Sequence, residues 1–287
     1  MKIGIGLPNP VPGVEGPLLV EWSRRAEEAG FSTLATIDRI AYPSYESMTV
    51  LAAAAGATER IGLMTNILLG PTRNPVVLAK EAAGVYHLSG GRFVLGLGVG
   101  GRQDDFEVTK TTFEDRGKRF DRMLDIMRRA WRGEAIEGCN SAVNPGTTLE
   151  DGVPLLIGGS NERAIDRAVR FGIGWTAGGA PPAQVVPFVR QLEEAWKNGG
   201  REGKPYTVAL SYFSLGSGTE EASRKYLMDY YAFLGDFSKQ LADWVPRSPE
   251  ALRETVQAFE QGGMDELILD PTVADLEQID LLAKAVL

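Results

Sequence analysis

Cysteine and histidine each occur once in this chain, as Cys139 and His87. A lone cysteine cannot close an internal disulfide, so a reducing, cytoplasmic setting is expected. Cys139 reads as a loop or core thiol rather than a reactive one. His87 falls near the C-terminal end of a helical segment, where imidazole serves packing and the helix dipole. With one histidine so placed and no G-x-S-x-G, a Ser-His-Asp hydrolase is not expected. Basic residues are in deficit: 30 Lys and Arg stand against 38 Asp and Glu, a formal net charge of −8. That argues against a nucleic-acid binder, which needs a basic face. No window approaches the roughly 18 apolar residues of a membrane span. The opening MKIGIGLPNP lacks the pattern of a signal peptide. Low-complexity segments and composition breaks are absent too, so residues 1–287 are expected to form one domain.

What the chain does have is strand–helix alternation. It is clearest from Ile61 to Arg102. An apolar run to Leu69 stops at Pro71, a helical segment follows over Asn74–Leu88, and a second apolar run over Phe93–Gly98 opens onto Gly100 and Gly101. Further strands are predicted at Lys2–Pro8, Thr33–Asp38, Val153–Gly158, Gly172–Ala177, Thr207–Leu215 and Glu266–Asp270. Most are continuous apolar runs, the pattern of parallel strands buried on both faces. Helical spacing marks Leu18–Gly30, Arg119–Gly133, Asn161–Phe171, Glu250–Gly262 and Asp275–Val286. Eight strand–helix units predict an α/β fold, a (β/α)8 TIM barrel. A doubly wound open sheet is the alternative, but no topological switch point is apparent. Gly133–Gly152 reads as a loop before strand five, and Thr219–Pro249 as a helical excursion after strand seven.

Barrels of this kind work at the C-terminal ends of their strands. Those ends carry Asn66, Gly98 to Arg102, Gly158 to Ser160, Tyr212, Asp38 and Asp270. They hold no lysine for a Schiff base and no acid–histidine cluster for a metal. A rim rich in glycine and poor in proton-transfer groups points to a bound cofactor that supplies the reactivity. Gly158-Gly159-Ser160-Asn161, directly before a helix, reads as an anion site. The plainer reading is that Ser160 or Asn161 only caps the helix. Gly96-x-Gly98-x-x-Gly101 matches the dinucleotide fingerprint formally, but no helix is expected to open immediately after it, so a Rossmann site is rejected. Arg102, Arg116 and Arg119 could reach a phosphate or could pair locally with Asp115 and Asp121. Trp175 and Tyr212 could stack on a ring or fill the core. Asp38 is the best single carboxylate for proton transfer or substrate contact, unless it pairs with Arg39 or caps a turn.

Several stretches together carry a resemblance. They are Lys2-Ile-Gly-Ile-Gly, Thr65-Asn66, Arg73-Asn74-Pro75, Ala79-Lys80-Glu81, Ser89-Gly-Gly-Arg92, Phe113-x-x-Arg116-Gly-x-Arg119, Pro154-x-x-Ile-Gly-Gly-Ser160 and Asp265-Glu-Leu-Ile. Taken together, nearly end to end, they resemble the luciferase-like monooxygenase superfamily. The resemblance implies a TIM barrel with the ring of FMN, or alternatively a deazaflavin coenzyme, over the strand ends. Thr65 and Asn66 would line the ring, and a non-prolyl cis peptide would lie between Leu63 and Ile67. Gly98, Gly100 and Arg102 would follow the ribityl chain. Gly158, Gly159 and Ser160 would take the phosphate, with Arg102 or Arg116. It also implies a homodimer through the helices after strands two and three, where Ala52–Ala55 permits close approach, and a separate flavin reductase as partner. One departure stands out: Asp38-Arg39-Ile40 occupies the place after strand two where luciferase-type members often carry a catalytic histidine.

The expected function is thus a flavin-dependent oxidoreductase or monooxygenase that transfers hydride to, or activates oxygen on, a small organic substrate. Two alternatives remain open: a flavin-binding barrel without turnover, and a phosphate-binding barrel isomerase or lyase.

Overall fold

A computed structural model of the chain describes residues 1–138 and 152–287. Cys139 and most of the loop expected over Gly133–Gly152 lie outside the described residues. Eight parallel strands close a barrel in chain order, and the last pairs back with the first. They are β1 (Lys2–Gly6), β2 (Thr33–Thr36), β3 (Gly62–Leu69), β4 (Phe93–Gly98), β5 (Leu155–Gly158), β6 (Gly174–Thr176), β7 (Tyr206–Phe213) and β8 (Glu266–Pro271). Each expected strand is present, so the TIM barrel stands and the open sheet falls.

The ring of helices comprises α1 (Gly16–Ala29), α2 (Ser47–Ala57), α3 (Pro75–Leu88), α4 (Gln103–Val108), α5 (Arg116–Trp131), α6 (Glu162–Phe171), α7 (Pro182–Asn198), α8 (Glu220–Tyr230), α9 (Phe237–Asp243), α10 (Pro249–Gln261) and α11 (Glu277–Val286). Helix α7 was not expected, because Pro181, Pro182 and Pro187 disguise it. Pro182 opens the helix, where a backbone N–H has no intrahelical partner in any case. The short α4 also changes one argument. A helix does follow Gly101 closely, so the dinucleotide site is excluded by the closed barrel rather than by the lack of a helix.

Strand residues that point away from the barrel axis, such as Ile5, Leu34, Leu63, Leu95, Ile157 and Leu267, form the main core with the helices. Alternate residues Ala35, Met64, Leu156, Val208 and Ile268 pack as a separate cluster inside the barrel. The N-terminal end of the barrel is closed by Glu266, which accepts from Tyr206 Oη at 2.9 Å and from Ser32 Oγ. Arg92 explains the Ser-Gly-Gly-Arg stretch. Its guanidinium donates to the carbonyls of Ser89, Ile61, Thr58 and Ala55 and to Thr58 Oγ1, so it ties together the ends of α2 and α3 and the start of β3. That motif serves the fold, at the end of the barrel away from the site.

Candidate functional site

At the C-terminal end of the strands lies a cleft of about 520 Å³. It brings together Asp38, Asn66, Gly100, Arg102, Arg116, Gly158, Gly159 and Ser160, contributed by the C-terminal ends of β2, β3, β4 and β5 and by the start of α5. Thr65 and Gly98 do not line it. Thr65 is buried and donates its hydroxyl to Gly96 O at 2.7 Å. Gly98 faces the side chain of Ile67: a Cβ there would sit 1.9 Å from Ile67 Cδ1. Gly158 meets the same methyl at 2.9 Å. Both glycines admit a neighbouring isoleucine; Gly158 also lines the cleft, whereas Gly98 does not.

The reason lies at the end of β3. The Asn66–Ile67 peptide is cis, within the stretch where the resemblance placed it, and the pairing of β3 with β4 shifts register between Thr65 and Leu68. Asn66 Oδ1 accepts a hydrogen bond from Thr176 Oγ1 on β6. This fixes the amide and leaves Asn66 Nδ2, a donor, buried without a partner.

On the facing side, Asn161 caps α6 through a 3.1 Å bond from Ala164 N. The cap is therefore Asn161, and Gly159 and Ser160 remain exposed at the positive end of α6. Gly159 has φ 132°, and its carbonyl accepts from Trp175 Nε1 at 2.7 Å. Trp175 is buried against Phe188, with ring centroids 4.5 Å apart. Arg163 lines the cleft beyond Ser160, exposed and without an ion pair among the described residues. Arg167 also lines it, but its guanidinium is taken by Asp121 at 2.6 Å and Gly117 O at 3.1 Å. Arg116 donates to Gly100 O and Phe113 O and lies over the Phe113 ring. Arg119 is committed to Asp115 and Thr112 O and does not line the cleft. His87 lies near the end of α3, edge-on to Tyr86 and away from the cleft.

Asp38 lines the cleft, but its partner is not Arg39. Its two oxygens accept from Arg73 Nη2 at 3.1 and 3.2 Å, and Oδ2 also accepts Leu69 N–H at 3.0 Å. Burial raises the carboxyl above its ordinary value; the Arg73 charge and the Leu69 N–H oppose that rise. Arg73 in turn reaches Glu46 at 2.9 Å. Arg39 instead pairs with Asp104 at 3.0 Å and lies over Tyr42.

Arg102 lies among the rings of the excursion after β7, 4.6 Å from the Tyr230 centroid and 4.7 Å from that of Phe233. Its Nε is buried without a partner. Tyr212 and Tyr231 share a hydrogen bond between their hydroxyls at 2.5 Å. Reading the sequence missed Arg73, Thr176, Tyr230, Tyr231 and Phe233. Arg73 lies within a quoted motif and is the one recoverable signal; the others reach the site only through folding. Among the described residues no group of three or more His, Cys, Asp and Glu could hold a metal ion.

The same architecture is found among known proteins. A model of the luciferase-like monooxygenase family matches residues 1–273. An uncharacterized protein of Mycobacterium tuberculosis is 29% identical over 225 residues, covering 67% of this chain and 77% of that protein. An F420-dependent secondary alcohol dehydrogenase, solved with an F420-acetone adduct, superposes with a TM-score of 0.81 at 18% identity, over 99% of this chain and 98% of that one. The oxygenating constituent of 3,6-diketocamphane monooxygenase of Pseudomonas putida, solved with FMN, superposes at 0.77 and 14% identity, over 100% and 99% of the two chains. At such identities the structural likeness is one of fold, whereas the family match spans nearly the whole sequence. With that match and the closed barrel together, the chain belongs to the luciferase-like monooxygenase family.

Proposed function

We propose that this protein is an oxidoreductase that binds a reduced flavin-type cofactor, FMN, and acts on a small organic substrate. The observation that carries the reading is the convergence of Asn66, Gly100 and Ser160 on one cleft. The residues present fit such a group. Buried Asn66 Nδ2 lacks a partner and would donate to an acceptor on the ring edge. Ile67 forms an apolar floor beneath it, held from behind by Gly98 and Gly158. The Gly159–Ser160 backbone at the start of α6 would hold the phosphate, with Arg163 and Arg116 near it. When bound, the reduced cofactor supplies the hydride, or the electrons that activate oxygen. The protein orients the ring, excludes water and holds the phosphate. Asp38 serves this reading as a positioning residue, because its carboxylate holds Leu69 N–H and Arg73 at the end of β3.

A second cofactor reading, the deazaflavin, is favoured by Arg163. Its guanidinium, without an ion pair among the described residues, lies past the phosphate-binding backbone, where a longer anionic tail would run. Titrating the purified protein with FMN and with a deazaflavin, followed by absorbance and fluorescence, separates the two. Saturable binding of FMN supports the first reading; tighter deazaflavin binding, weakened about tenfold by Arg163→Ala, supports the second. Saturation by neither would sink both.

An isomerase or lyase would call for a lysine or glutamate base at a strand end; among the described residues no lysine lines the cleft, and Glu114, which does, lies just ahead of α5 rather than at a strand end. A binding barrel without turnover is tested by electron-acceptor reduction with the loaded protein. Among the described residues no helix is long and apolar enough to cross a membrane. The proposal includes a cytoplasmic homodimer through α2 and α3, supplied by a separate flavin reductase. Sedimentation velocity of the purified chain tests the dimer.

A further inference from the structure

The cleft opens into a second chamber of about 510 Å³, and the two share Asn66, Ile67, Gly158, Gly159, Ser160 and Tyr231. That volume lies within the range of about 300–1,000 Å³ common for small-molecule sites. The two chambers differ sharply in chemistry. Arg102, Arg116, Arg163 and Arg167 all line the first. The second is walled by Trp175 and Phe188 of the barrel side and by Leu234, Phe237, Leu241 and Trp244 of the excursion after β7. No Asp, Glu, Lys or Arg lines this second chamber among the described residues.

An independent observation concerns the mouth. Phe237 and Trp244 stack edge to face at 5.5 Å, yet remain 40% and 43% exposed. Beside them Phe233 and Leu234 are also exposed. Four large apolar side chains left in water on one short excursion form a patch that a ligand would cover. Phosphate and any anionic tail are drawn to the arginine side, so the apolar side is left for the substrate.

We infer that the second chamber is the substrate site and that it takes a neutral, largely apolar, ring-bearing molecule. With the Gly159–Ser160 backbone taken by the cofactor phosphate, an ionised substrate would lose its hydration there and meet no charged side chain among the described residues. Trp175, Phe188 and Trp244 offer ring faces and edges on which a flat apolar body packs. This rests on the flavin-type reading for the position of the reacting ring, but the binding itself can be measured without turnover.

The test is calorimetric titration of the purified protein, free and FMN-saturated, with acetylnaphthalene and with naphthoate, which share a ring body and differ in charge. Expected are one-site binding of acetylnaphthalene and binding of naphthoate weaker by at least about tenfold. Trp244→Ala should weaken acetylnaphthalene about tenfold, and Trp244→Phe should restore most of it. Both variants alter a half-exposed residue, and circular dichroism verifies that they fold. Naphthoate binding as well as the ketone, no ketone binding in either form, or indifference to Trp244→Ala would overturn the assignment. FMN titrated into the same preparations reports the cofactor reading separately: its failure beside intact ketone binding would remove the flavin and keep the chamber.

Discussion

Replacing Gly98 with alanine tests whether the glycines of β4 and β5 exist to admit Ile67. The added Cβ would lie 1.9 Å from Ile67 Cδ1. Relief therefore requires Ile67 to turn toward the cleft that it lines. Overpacking of this kind costs about 1–3 kcal/mol. The backbone of Gly98 is outside the positive-φ region, so alanine is locally tolerated and regains about 0.4–1 kcal/mol through the unfolded chain. A net loss of about 1–2 kcal/mol remains. At about 2–4 °C per kcal/mol, that lowers Tm by roughly 2–8 °C. Ile67→Val removes the clashing methyl, and by itself costs about 0.5–1.5 kcal/mol. In the double variant the nearest Ile67 atom retained by valine, Cγ1, lies 3.3 Å from the new Cβ, a tight but tolerable contact. The double variant should therefore be about as stable as Ile67→Val, a coupling of about 1–2 kcal/mol. Thermal melts by circular dichroism measure all four proteins. FMN affinity should fall in Gly98→Ala, as Ile67 is driven into the cleft floor, and recover in the double variant. Additive losses, or an unchanged Tm in Gly98→Ala, would refute the argument.

Three other outcomes are expected. Asp270 is fully buried, with both carboxyl oxygens unpartnered, and burial holds its pKa well above the ordinary carboxylate range. The fold thus binds this proton more tightly than the unfolded chain does, so its contribution is complete below a pH of about 4 and fades as pH rises. Asp270→Asn should gain on the parent in Tm as pH increases from about 4 to about 8; the reverse trend would mean an ionised, stabilised Asp270. Arg73→Met leaves the Asp38 carboxyl buried without its charge partner and should cost about 3–5 kcal/mol in denaturant melts, with Asp38→Asn in the same chain recovering part of it. A loss under about 1 kcal/mol would show that the pair contributes no more than an exposed one. Arg92→Lys removes a planar fork that serves four carbonyls and should lower stability by about 2–3 kcal/mol while leaving FMN affinity alone. A weakened FMN affinity at unchanged stability would contradict the purely architectural role.

The barrel was legible because its strands are buried on both faces, and burial on both faces writes continuous apolar runs such as Phe93–Gly98 into the sequence itself. Helix ends were legible where a local residue closes them, as Asn74 and Asn161 do. Helix α7 was not, because prolines that read as breakers serve there as a helix start. The rim of the site was recognised as glycine-rich, and the Gly158–Ser160 turn was placed correctly before α6.

Local patterning thus determined the order of strands and helices, the closed barrel they imply, and the ends of the strands where function gathers. Only the tertiary structure decided what each rim residue does. Asp38 meets Arg73 across 35 positions, Gly98 makes room for Ile67 rather than a ligand, and Arg102 turns to the rings of an excursion more than a hundred residues later. The apolar chamber is likewise built from α7 and the excursion after β7, segments separated in the chain by a whole strand. Hydrophobic periodicity records how a residue relates to its own helix or strand. Partners across a barrel mouth are set by closure of the sheet, which brings distant strand ends within hydrogen-bond range and leaves no local trace of the pairing.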